Sequence, residues 1–412
     1  MALTGVPPLP GELKLARFPH DAREQLRAWD AADEYLLRYL GDGSGAVEGF
    51  GGPVDLSGRV VVFGDRWGAL TTALASAGVG GDGGIGADGG GDAGAALTQI
   101  SDSYLAQQAT LANVASNGIT APGLELVSTV GDFSRPITSL LVRVPKSLAL
   151  LEDQLRRLRP FLRTGATVVA AGMVTEIHTS TLQVFERILG PTRTSLAVRK
   201  ARLIFCEPDP ELSVPPADRW PLSYHLPDGL GPVSGHTVCN YAGTFSADHL
   251  DIGTRFFLPH LPRRSDAAHI VDLGCGNGVV GLAAALGSPK ASLTFVDESY
   301  QAVASARATF EATFPPGTRD ASFRAGDGMS GFARESVDLV LNNPPFHTHQ
   351  ATTDAVAWRM FTGSRAALRR GGELWVVGNR HLGYHAKLKR LFGNCEVVAS
   401  NPKFVVLRAR RP

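Results

Sequence analysis

Cysteine is scarce in this chain and unpatterned. Its four cysteines, Cys206, Cys239, Cys275 and Cys395, show no C-x-x-C spacing. That excludes a disulfide framework or a cysteine zinc site and points to a reducing, cytoplasmic setting. Charge of one sign is also lacking: 40 Lys and Arg stand against 39 Asp and Glu, a net charge of +1. A basic tail protein and an acidic disordered chain are thereby excluded. No apolar run approaches the ~18 residues of a membrane span. The opening MALTGVPPLPGELKLARFPHD has none of the charged-then-apolar order of a signal peptide. What is present is 44% hydrophobic and 19% charged residue content over 412 positions. At roughly 100–200 residues per domain, this predicts a soluble protein of two or three domains.

Residues 11–40 carry Leu26, Trp29, Tyr35, Leu36, Leu37 and Leu40 at near-helical spacing, which predicts helix. RVVVFGD (59–65) then reads as a strand stopping at Gly64, and ALTTALASAG as the helix after it. The Gly/Asp repetition of 78–94 has almost nothing to bury and predicts a flexible surface insertion. Strand signals (LELVST, SLLVRVP, ATVVAAGM) and the amphipathic LALLEDQLRRLRPFL continue the alternation of an open α/β sheet. The Pro- and Gly-rich stretch 206–240 is the expected linker between a first domain, 1–205, and a second, 241–412. The second half repeats the order of the first. Gly64 aligns with Gly274, Val144-Pro145 with Pro344-Pro345, and Gly172 with Gly378, which suggests an internal duplication.

The strongest chemical signal is VDLGCGNGVVGLA (271–283). An apolar strand carries Asp272 near its end, and Gly274, Gly276, Asn277 and Gly278 lead into a helix whose free N–H groups and dipole face the turn. Asp297 ends the next strand at the distance that suits ribose hydroxyls. The turn lacks the third glycine of the dinucleotide form. With acids on either side, it suits a ligand bearing an amino-acid ammonium group better than a pyrophosphate, a description that fits S-adenosylmethionine. Asp327, in FRAGDGMS, is a further acceptor candidate, for the adenine amino group.

The second signal is LVLNNPPFH (339–347). A buried strand runs into Asn343-Pro344-Pro345-Phe346. The prolines remove donors and fix carbonyls, the asparagine adds an acceptor, and the phenylalanine offers a flat face. Such a turn can accept from a planar NH₂ group while stacking on its ring.

Asn-Pro-Pro-Phe after such a strand resembles the fourth motif of class I methyltransferases that act on exocyclic or amide nitrogens. With TFSADHLDIGTRFFL (244–258), residues 342–361, 372–395 and NPKFVVLRA (401–409), the chain resembles the tandem-domain bacterial ribosomal-RNA guanine-N2 methyltransferases of the RlmG/RsmC type. The long match through the C-terminal end leans to the large-subunit (23S) member. The resemblance is close over 241–412 and architectural over 1–205. It implies two α/β methyltransferase-like domains, each with a seven-stranded, mostly parallel sheet, and CEVVAS and KFVVLRA as a closing hairpin. It implies S-adenosylmethionine as cofactor, ribosomal RNA as partner and no metal.

The resemblance also implies a degenerate first domain serving RNA recognition or support. FGDRWG places Arg66 and Trp67 where a cofactor needs small residues, and Arg143-Val144-Pro145-Lys146 replaces the Asn-Pro-Pro-Phe turn. Phe245, Ser246 and Asp248 are expected to close over the cofactor. An unpaired or flipped guanine would stack on Phe346, with its N2 held by Asn343 and the Pro344 carbonyl; His347 is expected to line that pocket or only to cap the turn. Residues 355–412 hold about ten more Lys and Arg than Asp and Glu. Among them Arg380, Lys387 and Lys389 are candidate RNA contacts, weighed against a plain solvated face. His381 and His385 lack the glutamate of a zinc-binding helix. Cys275 reads as a packing residue, and a monomer is expected. A protein-glutamine methyltransferase, an adenine-N6 DNA enzyme and a non-catalytic RNA-binding assembly protein remain as alternatives. Phe346 in place of tyrosine disfavours the first.

Overall fold

The computed structural model describes residues 6–21, 24–80, 97–215, 220–266, 268–345 and 350–412, of 350–353 the backbone alone. The Gly/Asp-rich insertion lies outside the described residues from position 81 on. The chain divides into two compact units, Met1–Asp218 and Arg219–Pro412.

The first unit runs α1 (Ala31–Asp42), β1 (Val60–Phe63), α2 (Ala69–Ser76), β2 (Leu97–Ser101), α3 (Tyr104–Ser116), β3 (Leu124–Ser128), β4 (Ile137–Arg143), α4 (Leu148–Leu158), β5 (Leu162–Met173), α5 (Thr179–Ile188), β6 (Thr192–Thr194) and β7 (Ala201–Cys206). Its sheet has the order β3-β2-β1-β4-β5-β7-β6, parallel except that β7 opposes both neighbours. Because strand side chains alternate, Val60 and Val62 enter the core on one face while Val61 and Phe63 enter the other. Burial on both faces explains why β1 is a continuous apolar run.

The helix expected over 11–40 begins only at Ala31. Asp30 caps it, accepting from the Ala32 amide at 2.8 Å, while Asp33 accepts from the Asp30 amide at 2.9 Å. A cap of this kind stabilises a helix start by about 1 kcal/mol. The backbone upstream is held by side chains instead. Asn113 of α3 bonds both the N–H and the C=O of Ala16, and Asn117 does the same to Lys14.

The second unit runs β8 (Leu222–His225), β9 (Thr237–Asn240), α6 (Ile252–Phe257), β10 (His269–Leu273), α7 (Val279–Gly287), β11 (Ser292–Asp297), α8 (Tyr300–Glu311), β12 (Ala321–Ala325), β13 (Val337–Asn342), α9 (Gln350–Ala367), β14 (Leu368–Asn379), α10 (Tyr384–Phe392), β15 (Glu396–Ser400) and β16 (Phe404–Arg410). The order β12-β11-β10-β13-β14-β16-β15 repeats that of the first unit, and β15–β16 is the expected closing hairpin, with β16 antiparallel. Part of the stretch expected as linker is folded here: β8 and β9 form an antiparallel ribbon, and Thr309 of α8 bonds both the N–H and the C=O of Cys239. Its Pro and Gly content hides a ribbon that is tied to a helix distant in sequence.

The ladder registers align the two units residue by residue. Phe63 pairs with Val142 and Val142 with Ala170; Leu273 pairs with Asn342 and Asn342 with Val376. Arg143, Val144 and Pro145 therefore stand where the second unit has Asn343, Pro344 and Pro345, and Gly172 stands for Gly378. The alignment extends upstream of both sheets. Gly68 abuts Thr110 of α3 as Gly278 abuts Ala306 of α8, and three residues on, Asn113 and Thr309 each clamp one backbone unit of the preceding segment. Ala16 is thus the counterpart of Cys239, and Arg17 of Asn240.

Candidate active site

The chain runs from β10 outward to β12 and then returns to β13 on the other side of β10. The C-terminal ends of β10 and β13 therefore meet at the switch point, where α/β sheets hold ligands. The glycine turn leaves β10 there. Gly274 and Cys275 donate to the Val296 carbonyl of β11. Gly276 and Gly278 have φ of 52° and 79°, backbone that side chains rarely tolerate. A Cβ on Gly278 would lie 2.8 Å from Ala306, whereas one on Gly276 would enter open space. The turn is thus tight toward α8 and open outward. Asn277 donates to Asn240 of β9 at 3.0 Å.

Asp272 shares the β10 face that packs α7, and its Oδ2 accepts from the Gly281 amide at 2.7 Å. It is 2% exposed, and burial raises its pKa to about 8. It anchors the first turn of α7 beneath the glycines. Asp297 accepts from the Gly276 amide at 3.0 Å and from Ser299 at 3.1 Å, and burial raises its pKa too. Burial also holds the Cys275 thiol well above its ordinary value, in keeping with a packing residue. Asp327 sits at the tip after β12, 3.4 Å from Arg359 of α9.

Alternation along β13 sends Asn342 and Asn343 to opposite sides. Asn342 donates to the Leu273 carbonyl at 2.7 Å, tying β13 to the start of the glycine turn. Asn343 turns toward α6, donating through Nδ2 to Thr254 Oγ1 at 3.0 Å and to Asp251 Oδ2 at 3.4 Å. Its Oδ1 is buried with no hydrogen-bond partner among the described residues. Pro344 is buried and Pro345 exposed; Phe346 and His347 lie outside the described residues.

The segment between β9 and α6 spans both halves of the site. Tyr241 and Thr244 bond to Ser305 of α8, each at 2.8 Å, and Asp251 meets Asn343. Between these anchors Phe245 is 56% exposed, Ser246 takes a left-handed φ of 54°, and Asp248 pairs with His249 at 2.5 Å. Sequence reasoning missed Asp251, Thr254, Asn240 and Asn342. Only the Asp-x-x-Thr cap of α6 is visible locally, and its meeting with Asn343 is tertiary.

Of the C-terminal cations, Arg380 follows β14 at the same sheet edge as Asn343, and Lys387 and Lys389 lie on α10. Lys387 pairs with Asp354 at 2.7 Å, and Arg369, Arg408, Arg410 and Arg411 are likewise held by carboxylates. Arg365, Arg370, Arg380, Lys389 and Arg390 have no carboxylate partner among the described residues. His381 lies in a short turn that Gly383 separates from His385 of α10.

The first unit blocks the corresponding place. Arg143, fully buried where Asn343 would be, pairs with Asp30, Asp33 and Glu176. Arg66, at the place of Gly276, joins Asp30 and Glu176. Arg17 lies 4.3 Å over the ring of Trp67, which replaces Asn277.

One unit has an open glycine turn and an unpartnered amide oxygen at the ends of adjacent strands, and ion pairs fill the corresponding places in the other. Residues 235–408 match the family described as "Methyltransferase small domain", and residues 8–210 match "RLMG N-terminal domain". The chain is an S-adenosylmethionine-dependent methyltransferase, and the methyltransferase-domain match falls on its second unit. The chain is 62% identical to the ribosomal RNA large subunit methyltransferase G of Streptomyces avermitilis, over 97% of both chains. It is 46% identical to that of Ectopseudomonas mendocina, also over 97% of each. It therefore belongs to the ribosomal RNA large subunit methyltransferase G family. A solved structure, the T. thermophilus 16S rRNA N2-guanine methyltransferase in complex with AdoMet and guanosine, shares the fold at a TM-score of 0.70. The identity is 20%, over 97% of this chain and 98% of that one.

Proposed function

We propose that the second unit methylates the exocyclic N2 of a guanine in large-subunit (23S) ribosomal RNA. The observation that carries this reading is the buried, unpartnered Oδ1 of Asn343, an acceptor held at the switch point for an NH₂ group. The names of the relatives favour ribosomal RNA over protein glutamine as the bearer of that group.

The residues present fit S-adenosylmethionine: Gly276 leaves open space at the turn, and Asp297 stands at the tip of β11 for ribose hydroxyls. When bound, the cofactor supplies a methyl group on a sulfonium, already a good leaving group. The chain's part is then positioning and electrostatics. Asn343 Oδ1 and the Pro344 carbonyl accept from the two N–H bonds of the amino group. That draws its lone pair out of conjugation and aims it at the methyl. Phe346, next in sequence after the prolines, is assigned the stacking face for a base that is flipped or already unpaired. Asp272 keeps the turn rigid from below, Asp327 is assigned to the adenine amino group, and Phe245 and Ser246 to the cofactor's outer side. Arg380, Lys389 and the other unpaired cations are assigned to RNA phosphates, with His347 beside the target. The first unit is assigned to RNA recognition.

Asn343→Ala tests the assignment. Turnover on 23S rRNA is expected to fall about a hundredfold or more, with calorimetric S-adenosylmethionine affinity little changed. An affinity that collapses in step with the rate contradicts it.

A further inference from the structure

We infer that Thr254 and Asp251 are positioning residues that set which end of the Asn343 amide faces the substrate. The inference rests on the reading of Asn343 as the acceptor for the amino group, and names what enforces it.

An asparagine amide has two nearly isosteric ends, and rotation by half a turn exchanges acceptor for donors. A flipped Asn343 would present N–H groups to an NH₂ group and could not accept from it. The structure removes that choice through an ordered chain of bonds. Thr254 Oγ1 donates to Asp251 Oδ2 at 3.2 Å, and the Thr254 amide donates to the same oxygen at 2.8 Å. With its only proton given to the carboxylate, the threonine oxygen has lone pairs alone to offer toward Asn343. It accepts from Nδ2 at 3.0 Å, and Asp251 Oδ2 adds a second, longer acceptor at 3.4 Å. The flipped amide would set Oδ1 against a lone pair and a carboxylate in a largely buried place, where an unmade hydrogen bond is most costly. Thr254 is 8% exposed and Asn343 Oδ1 is buried. Asp251 also caps the start of α6, so the orienting group is itself fixed to the backbone.

Neither residue is expected to touch the reacting atoms, so the effect must pass through Asn343. The test uses the full chain with methyl-labelled S-adenosylmethionine and protein-free 23S rRNA. It compares Thr254→Val, Thr254→Ser, Asn343→Ala and the Thr254→Val/Asn343→Ala double variant. Valine keeps the shape but offers no acceptor. Its kcat is expected to fall about tenfold, the worth of one directed hydrogen bond, with RNA KM and calorimetric cofactor affinity unchanged. Serine, which keeps the hydroxyl, is expected to restore kcat to near the parent value. In the Asn343→Ala background the valine change is expected to lower kcat no further. A full kcat in Thr254→Val, a serine variant as slow as valine, or an undiminished loss in the double variant would overturn the inference. A full kcat in Asn343→Ala would instead overturn the reading on which it rests.

Discussion

Two side chains at strand ends, Asn343 and Asp272, use their oxygens differently. Asn343 leaves an oxygen unused, whereas Asp272 commits Oδ2 to the Gly281 amide. The first unit shows how firmly that anchor is needed. Its strand has Val62 at the place of Asp272, yet Asp65, one step into the turn, accepts from the amide of Thr71, the counterpart of Gly281, at 2.8 Å. The carboxylate has changed position and kept its bond while the ligand site was filled. Because burial lifts the Asp272 pKa from its ordinary value to about 8, the native state binds a proton that the unfolded chain has released. Stability therefore declines as pH rises from about 4 to about 8. Asp272→Asn, which keeps an acceptor and does not titrate, is expected to flatten that decline in urea melts at pH 5 and 8.5. Parallel curves for the two proteins would contradict it. Glycine spacing made the turn legible in the sequence, the tip of the next strand Asp297, and the Asn-Pro-Pro-Phe run after a buried strand Asn343. The partners of Asn343 were not, because Asp251 and Thr254 precede it by some ninety residues and meet it only in the fold.

At the scale of elements, a short segment packs ahead of each sheet and decides whether that sheet's site is open. In the second unit, Asn240 at the end of β9 accepts from Asn277 beside the turn. In the first, the matching segment brings Arg17 over Trp67, and the start of α1 brings Asp30 and Asp33 onto Arg143. Repetition in the sequence showed that Arg66, Trp67 and Arg143 replace the site residues. It did not show that carboxylates from α1 and from the loop after β5 converge on them, and the helical spacing upstream of Ala31 pointed the wrong way. Burial raises the pKa of Asp33 despite its guanidinium partner, with Asp30 and Asp65 adding to the rise. Arg143→Ala leaves buried Asp33 without its cation, and Asp30 and Glu176 with Arg66 alone. It is expected to cost the first unit about 3–5 kcal/mol, measurable as a lowered urea midpoint. An unchanged midpoint would contradict it.

On the scale of the whole molecule, the chain repeats one sheet order, with the glycine turn open in the second copy and ion pairs filling its counterpart in the first. Calorimetric titration with S-adenosylmethionine is expected to give one site per chain; two sites would contradict the closure of the first unit. The C-terminal surplus of positive charge exceeds the number of cations left without a carboxylate partner, since Arg369, Lys387 and Arg411 are matched by Asp338, Asp354 and Glu335. Such pairing is invisible in composition, because Asp338, Asp354 and Glu335 lie outside the basic run. The most direct test of the central claim offers methyl-labelled S-adenosylmethionine with protein-free 23S rRNA, 16S rRNA and protein-glutamine substrates in separate reactions, followed by nucleoside and amino-acid analysis. N2-methylguanosine in 23S rRNA alone is the predicted result. Label in 16S rRNA or on glutamine, or no transfer despite tight cofactor binding, would contradict it.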